Sequence, residues 1–416
     1  MSGEQTLTAV ERARAGLRRL KVEAEREGWR AGAAVRLGLA PGRVNLLGEH
    51  VDYSDGWVMP VAIDRHVAAA YEPGGGTHLV VHSLDFADTF RIDLTELEAV
   101  GSEPDRFEAL VGGAHTRWRR YAAGVVLELA AAGDVPRPGL MAIAGDVPLG
   151  AGLSSSAALE AALYTALAAD PAASPEAARL CQRAENRWAG MPCGIMDQFA
   201  SFMGEREKVL YLDCRTLEFR CLALPPGLEL TVVDSGVRRE LAASAYRGRR
   251  QEIETACELI GRFTGPIQTL RDVPAGSFSA FEDLLPEPLR SRVEHVLGGF
   301  DRVREGVRVL ALGQGEAFGE LMTACHRSLA ELYAVSIPEL DLIVASALEV
   351  EGVLGARLTG AGFGGCCVVL HRPDCTAELT GRISSALRER FDIEPLCHHL
   401  AVADGARRLE PEGEGA

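Results

Sequence analysis

The sequence predicts an α+β protein of two lobes, and three observations carry that prediction. The first hundred residues read as short β segments separated by turn formers. From Trp118 onward helical periodicities dominate, with single apolar runs of strand length set between them. At 416 residues the chain is long enough for two or three domains or lobes that each bury a core. The division is placed near residue 210, giving lobes at 1–210 and 211–405. The charged, Gly/Glu-rich tail at 406–416 predicts fraying.

Each element has a local justification. Apolar positions at Val10, Ala13, Leu17, Leu20 and Val22 predict an amphipathic surface helix over 8–28. Alternation predicts a strand over 34–39, running to Ala40-Pro41-Gly42. Residues 58–63 and 67–71 read as a pair of strands, and 79–83 and 89–94 as another pair. A helix follows over 118–132, then a buried strand at 140–144 and an Ala/Leu-rich helix at 157–169. Pro175 at the start and Gly190 at the end bracket a helix over 175–189. A short helix follows the turn at 191–199, and strands are expected at 209–213 and 228–234. Helices at 238–261, 289–313, 317–334, 338–351 and 377–391 and strands at 353–358, 366–370 and 396–402 complete the chain.

Composition narrows the function. The chain is 47% hydrophobic and 25% charged, as soluble proteins are, and its net charge of −16 argues against nucleic acid or an anionic membrane as partner. No stretch of about 18 apolar residues is present, and the first 30 residues lack the apolar core of a signal peptide. The ten scattered cysteines contain no Cys-x-x-Cys pair, which reads as reduced thiols in a cytoplasmic protein. Oligomeric state leaves no mark on the sequence.

The chemically most telling stretch is 145–160, Gly-Asp-Val-Pro-Leu-Gly-Ala-Gly-Leu-Ser-Ser-Ser-Ala-Ala-Leu-Glu. It joins a buried strand to a helix through glycines and three hydroxyls. Glycines let the backbone approach an anion, and the free N–H groups of a helix start point toward it. The plain alternative is a serine-capped helix after a glycine turn. A Walker A loop is excluded, since lysine occurs only at Lys21 and Lys208 and neither follows a glycine. Protein-kinase signatures are absent too: there is no His-Arg-Asp and no Asp-Phe-Gly.

Three further stretches complete a pattern: Gly42-Arg-Val-Asn-Leu-Leu-Gly-Glu-His-Val-Asp-Tyr53, Cys193-Gly-Ile-Met-Asp-Gln198 and Leu358-Thr-Gly-Ala-Gly-Phe-Gly-Gly365. With 148–158, they resemble the GHMP small-molecule kinases and, within these, the galactokinases. The likeness spans 34–405. It implies a two-lobed fold of mixed sheets and packed helices with the active site between the lobes. It also implies transfer of phosphate from ATP, with Mg²⁺, to the anomeric hydroxyl of a galactose-like hexose. A related kinase acting on N-acetylgalactosamine or arabinose, or a non-catalytic sensor of galactose and ATP, is the alternative. A sensor would be expected to shorten the serine stretch, which is intact here.

The resemblance also implies roles for residues. Gly150, Ala151, Gly152, Leu153, Ser154, Ser155 and Ser156 would hold the ATP phosphates, and Ser156 and Glu185 would bind Mg²⁺. Asp197 would take or orient the proton of the attacking hydroxyl, beside Arg43 and the transferred phosphoryl group. Glu49, His50, Val51 and Asp52, with Gly194, Asp197 and Tyr246, would contact the sugar. Simpler readings exist for several: an N-cap for Asp197, a surface ion pair for Arg43, a solvated helix charge for Glu185, and turn chemistry for 52–56. The glycines at 360–365 would pack loop against strand. Trp118 and Ser83 would border the nucleotide or, for Trp118, belong to the core. Three departures stand out: Val51 where Thr is usual, Ser54 where many members have Asn, and Leu332 at a place often acidic. The first two flank the sugar segment.

Overall fold

A computed structural model describes residues 8–112, 117–237 and 242–410. In chain order the first half contains α1 (Ala9–Arg26), β1 (Arg36–Asn45), β2 (Trp57–Val58), β3 (Pro60–Pro73), β4 (His78–Ser83) and β5 (Asp88–Asp93). It continues with α2 (Leu97–Ser102), α3 (Pro104–Val111), α4 (Arg117–Ala131), β6 (Gly139–Gly145), α5 (Ser155–Leu167), α6 (Pro175–Arg183) and α7 (Met196–Met203). The second half has β7 (Lys208–Asp213), β8 (Phe219–Ala223), β9 (Glu229–Asp234), α8 (Ala242–Thr264), α9 (Leu289–Ala311), α10 (Gly315–Glu331) and α11 (Pro338–Leu348). Then come β10 (Val353–Thr359), β11 (Cys366–His371), α12 (Thr376–Phe391), β12 (Leu396–Leu400) and β13 (Arg407–Leu409).

Three sheets organise these elements. Six strands run in the order β13-β1-β3-β6-β4-β5, with only β4 and β6 parallel among its pairs. An antiparallel sheet, β10-β11-β9-β12, forms the second lobe, and a small one, β2-β7-β8, joins the two halves of the chain. The six-stranded sheet is apolar on both faces because both are covered. Ala68 and Ala70 of β3 meet Ala13 and Leu17 of α1, while Val67, Ala69 and Tyr71 turn into the main core. That period of two is what the Ala-rich run of β3 encodes.

Several expectations are corrected. The strand expected over 34–39 continues through Pro41-Gly42 to Asn45. The register shifts between Pro41 and Arg43, so the proline sits at a bulge that needs no donor from it. The two strands expected at 58–63 and 67–71 are the two-residue β2 and the single 14-residue β3, because β1 pairs along nearly the whole of β3. Strand β7, which spans residue 210, pairs with β2 of the first half; this leaves the division near 210 an open expectation. The start of the tail is not frayed: Arg407–Leu409 pairs with β1, and Ala406 N–H donates to Ser201 O at 2.7 Å, while 411–416 lie outside the described residues. The second-half helix expected from 238 is described as Ala242–Thr264, and 238–241 lie outside the described residues. Helices α2 and α3 and strand β8 had no assignment from sequence. All ten cysteines are free thiols, and no described helix is long and apolar enough to cross a membrane.

Candidate active site

The glycine-serine turn sits between β6 and α5, with α5 packed on β1. Gly150 and Gly152 adopt φ of 69° and 79°, the left-handed region where a Cβ is strained. Gly152 meets the second glycine loop back to back: a Cβ on Gly360 would lie 3.1 Å from Gly152 O. The two loops therefore approach at backbone distance, which is the packing role expected of the 360–365 glycines. Ser154 holds the N-cap position of α5, but its hydroxyl does not cap the helix. It donates instead to Asp197 Oδ2 at 2.5 Å.

Asp197 lies in the first turn of α7, two residues past the N-cap, so it is not the capping residue. Its Oδ1 is held by Arg43 Nε at 2.7 Å and Nη2 at 2.6 Å, while Arg43 Nη1 donates to Gly152 O at 2.6 Å. One guanidinium thus fixes the carboxylate and the glycine turn together. The pair is no surface ion pair, since Arg43 is 5% exposed. Burial works to lower the Arg43 pKa, but Asp197, Glu49 and Asp52 more than offset it, and the guanidinium ends raised.

Behind this junction the chain after α6 makes a π-helical turn, Ala184–Ala189, which carries Glu185 inward. Ser156 Oγ donates to Glu185 Oε1 at 3.3 Å, and Gln198 Nε2 donates to Glu185 Oε2 at 2.6 Å and to Glu160 Oε2 at 3.1 Å. Burial, with Asp197 nearby, pushes Glu185 up to about 7, and burial beside Glu185 pushes Glu160 well above its usual range. Glu160 Oε1 and Gln198 Oε1 are buried without a partner among the described residues. A hydroxyl beside a crowded carboxylate is a fitting protein share for a hard divalent cation, which keeps phosphate oxygens and waters as its other ligands.

The second part of the site is a cavity of about 480 Å³ lined by Arg43, Glu49, His50, Asp52, Gly194, Asp197 and Tyr246. Asp52 lies hard against Gly194: a Cβ there would come 1.9 Å from Asp52 Oδ2, so any other residue would push the carboxylate aside. Burial, then Asp197 and Glu49, push Asp52 up to about 7. Below about 3.8 this group is protonated in the folded and the unfolded chain alike and costs the fold nothing; above that the unfolded chain gives up its proton while the folded protein still keeps it. Stability is lost in this way as pH rises toward about 7. Denaturant titrations at pH 5 and pH 8 should therefore show a smaller loss of stability for Asp52→Asn than for the wild type. An unchanged loss would place the carboxylate elsewhere than in this cavity.

His50 has a left-handed backbone, φ 58°, and both ring nitrogens are engaged. Nε2 lies 3.1 Å from Ala361 O, which only accepts, so Nε2 carries the proton and Nδ1 accepts from Tyr53 Oη at 3.1 Å. Tyr53 Oη lies 2.5 Å from Tyr333 Oη, and the Tyr246 and Tyr333 rings flank the imidazole at 5.6 and 5.0 Å. Burial lowers the His50 pKa to about 4, so it is neutral. The histidine lines the cavity, and its ring nitrogens tie it to Tyr53 and to Ala361 of the second glycine loop.

Val51 lies away from the cavity. Its side chain is completely buried, packs toward Gly299 and does not line the cavity. Ser54 is buried as well. The two departures beside the sugar segment therefore lie behind the cavity wall. Trp118 is a core residue, donating to Asp88 Oδ2 at 3.0 Å and stacked parallel to Phe86, and neither it nor Ser83 reaches the cavity. Sequence reasoning did not pick out Arg117, Met191, Cys193 and Ala361, which line the cavity, or Tyr53, Tyr333, Gln198 and Arg357 behind it. Among these, only the intramotif polar residues Tyr53 and Gln198 carried a local signal.

Known proteins are similar to this chain in sequence and fold. Residues 31–73 match the galactokinase galactose-binding signature, 120–205 the GHMP kinases N terminal domain and 307–389 the GHMP kinases C terminal domain. A galactokinase of Roseiflexus sp. is 40% identical over 88% of this chain and 86% of its own length. The Homo sapiens galactokinase is 40% identical, over 89% of this chain and 91% of its own. The crystal structure of Lactococcus lactis galactokinase complexed with galactose superposes with a TM-score of 0.82, at 30% identity over 90% of this chain and 95% of that one. A mevalonate kinase at 19% identity and TM-score 0.59 shares the fold. With its glycine-serine turn, its Arg43–Asp197 junction and its acidic cavity in one cleft, this chain belongs to the galactokinase family of GHMP kinases.

Proposed function

We propose that the protein transfers the γ-phosphoryl group of ATP to the C1 hydroxyl of D-galactose, giving galactose 1-phosphate and ADP. The observation that carries this reading is the meeting of Arg43, Asp197 and Ser154 where the glycine-serine turn opens onto the acidic cavity. The 150–156 turn and the start of α5 hold the phosphates. Glu49, Asp52, Tyr246 and the backbone at Gly194 seat the hexose, with its C1 hydroxyl toward Asp197. The hydroxyl oxygen forms its bond to the γ-phosphorus as the bridge to the β-phosphate breaks, and its proton passes to Asp197. Arg43 holds that carboxylate through Nε and Nη2 and offsets charge gathering on the phosphoryl oxygens. Alignment by these fixed groups supplies much of the rate.

Ser156 and Glu185 would hold Mg²⁺, which neutralises phosphate charge when bound. Glu185→Gln should raise the Mg²⁺ concentration for half-maximal activity by about 10- to 100-fold. It should also raise the Mg²⁺ needed for tight nucleotide binding, read by calorimetry without turnover. Unchanged Mg²⁺ dependence would remove Glu185 from this role. The protein acts in the cytoplasm, where ATP is at hand. Its ten free thiols support that placement.

The deciding experiment is a panel of galactose, N-acetylgalactosamine and arabinose with ATP and Mg²⁺, followed by ADP release and phosphorus NMR of the product. Galactose should turn over fastest and yield an anomeric phosphate. Turnover of another sugar alone would overturn galactose as substrate and leave the kinase chemistry standing. Binding of both ligands with no ADP would make the protein a sensor.

A further inference from the structure

The largest completely buried side chain is Arg357, a residue of β10 that touches no space open to substrate. Its Nη2 donates to Glu49 Oε2, its Nε donates to Leu358 O at 2.8 Å, and Nη1 has no partner among the described residues. A guanidinium this deep is costly unless a paired charge compensates it, and Glu49 supplies that charge. Asn45 Nδ2 adds a weaker contact to the same oxygen at 3.4 Å. None of the described hydrogen bonds reaches the other oxygen, Oε1, and Glu49 lines the cavity. One oxygen is thus clamped from behind and the other is left for a ligand.

The clamp is part of a register. Arg357, Thr359 and Ala361 alternate along β10 and the loop after it, and each holds one residue of the 45–50 segment. Arg357 holds Glu49, Thr359 Oγ1 accepts from Asn45 N–H at 3.1 Å, and Ala361 O accepts from His50 at 3.1 Å. From α9, His295 Nε2 donates to Glu49 O at 3.2 Å. Burial raises the Glu49 pKa, and Arg357 and then Arg43 work against that rise.

We propose that Arg357 is a positioning residue for sugar binding: by holding Glu49 Oε2 from the second lobe, it presents Oε1 to a hexose hydroxyl as an oriented acceptor. This rests on the sugar-site reading above. Arg357→Met should weaken galactose binding by about 10- to 100-fold, the usual effect of removing a group that orients a ligand, with ATP affinity unchanged. Both are read by calorimetry with each ligand alone. In kinetics the KM for galactose should rise while kcat at saturating sugar holds. Arg357→Lys, which keeps the charge and loses the fork, should fall between wild type and Met. In a Glu49→Gln background, Arg357→Met should add no further loss, since both act through one contact.

A folded Arg357→Met protein with unaltered galactose affinity would overturn the proposal. So would losses that add in the double variant. If Arg357→Met fails to fold, Arg357→Lys decides, and parallel loss of galactose and ATP affinity there would mark a purely structural residue. Wild-type galactose binding by Glu49→Gln would instead bring down the sugar site, and this proposal with it.

Discussion

Asp197→Asn is expected to lower kcat by about three orders of magnitude, within the span that a positioned acid or base contributes. Galactose and ATP should bind as tightly as before or more tightly. The substitution changes one thing. Arg43 Nε and Nη2 both point at Oδ1, which the amide keeps as a carbonyl, and Ser154 can rotate its hydroxyl to accept from the new NH₂. Shape and seating are preserved, and what disappears is the negative charge and the site that receives the proton. That charge also raises Glu49, Asp52, Glu160 and Glu185, so removing it relieves four buried carboxylates. Turnover near the wild-type rate would show that seating alone accounts for the rate. Weaker galactose binding would mean that Asp197 serves chiefly as a sugar ligand.

How much of this was legible in the sequence depended on whether the chemistry is local. The 145–160 stretch announces an anion site by itself, because glycine turn, hydroxyls and helix start are contiguous and each acts through backbone geometry. Arg43 and Asp197 stand 154 residues apart, and no periodicity links them; only the resemblance did. Arg357 gives no local signal, because a single arginine in a short strand names no partner. Its worth lies in a partner 308 residues away. His50 carries the opposite lesson. The resemblance implied a sugar contact, and what the sequence did not show is that both ring nitrogens meet Ala361 and Tyr53. The strand errors have the same origin. Continuity of β3 and order in the tail both depend on β1, which offers one edge to each, and pairing across such distances leaves no trace in a local window.

Arg43→Ala should lower kcat by about 10³-fold, because one cation serves two elements of the transition state. Its Nε and Nη2 hold the carboxylate that receives the proton, and Nη1 ties Gly152 O of the phosphate turn to the same plane. Removal frees both at once and leaves Asp197 with Ser154 as its remaining hydrogen-bond partner among the described residues. Arg43→Lys discriminates charge from geometry. An ammonium supplies the positive charge but cannot span Asp197 Oδ1 and Gly152 O as a planar fork does. If geometry matters, the lysine variant should stay about 10²-fold below wild type while its ATP affinity recovers, which single-turnover kinetics would separate from binding. Full recovery by lysine would make Arg43 a simple counter-charge and place the alignment of nucleophile and phosphate turn in the glycine loops alone. A loss confined to KM for ATP would move Arg43 out of the transfer step and into nucleotide binding.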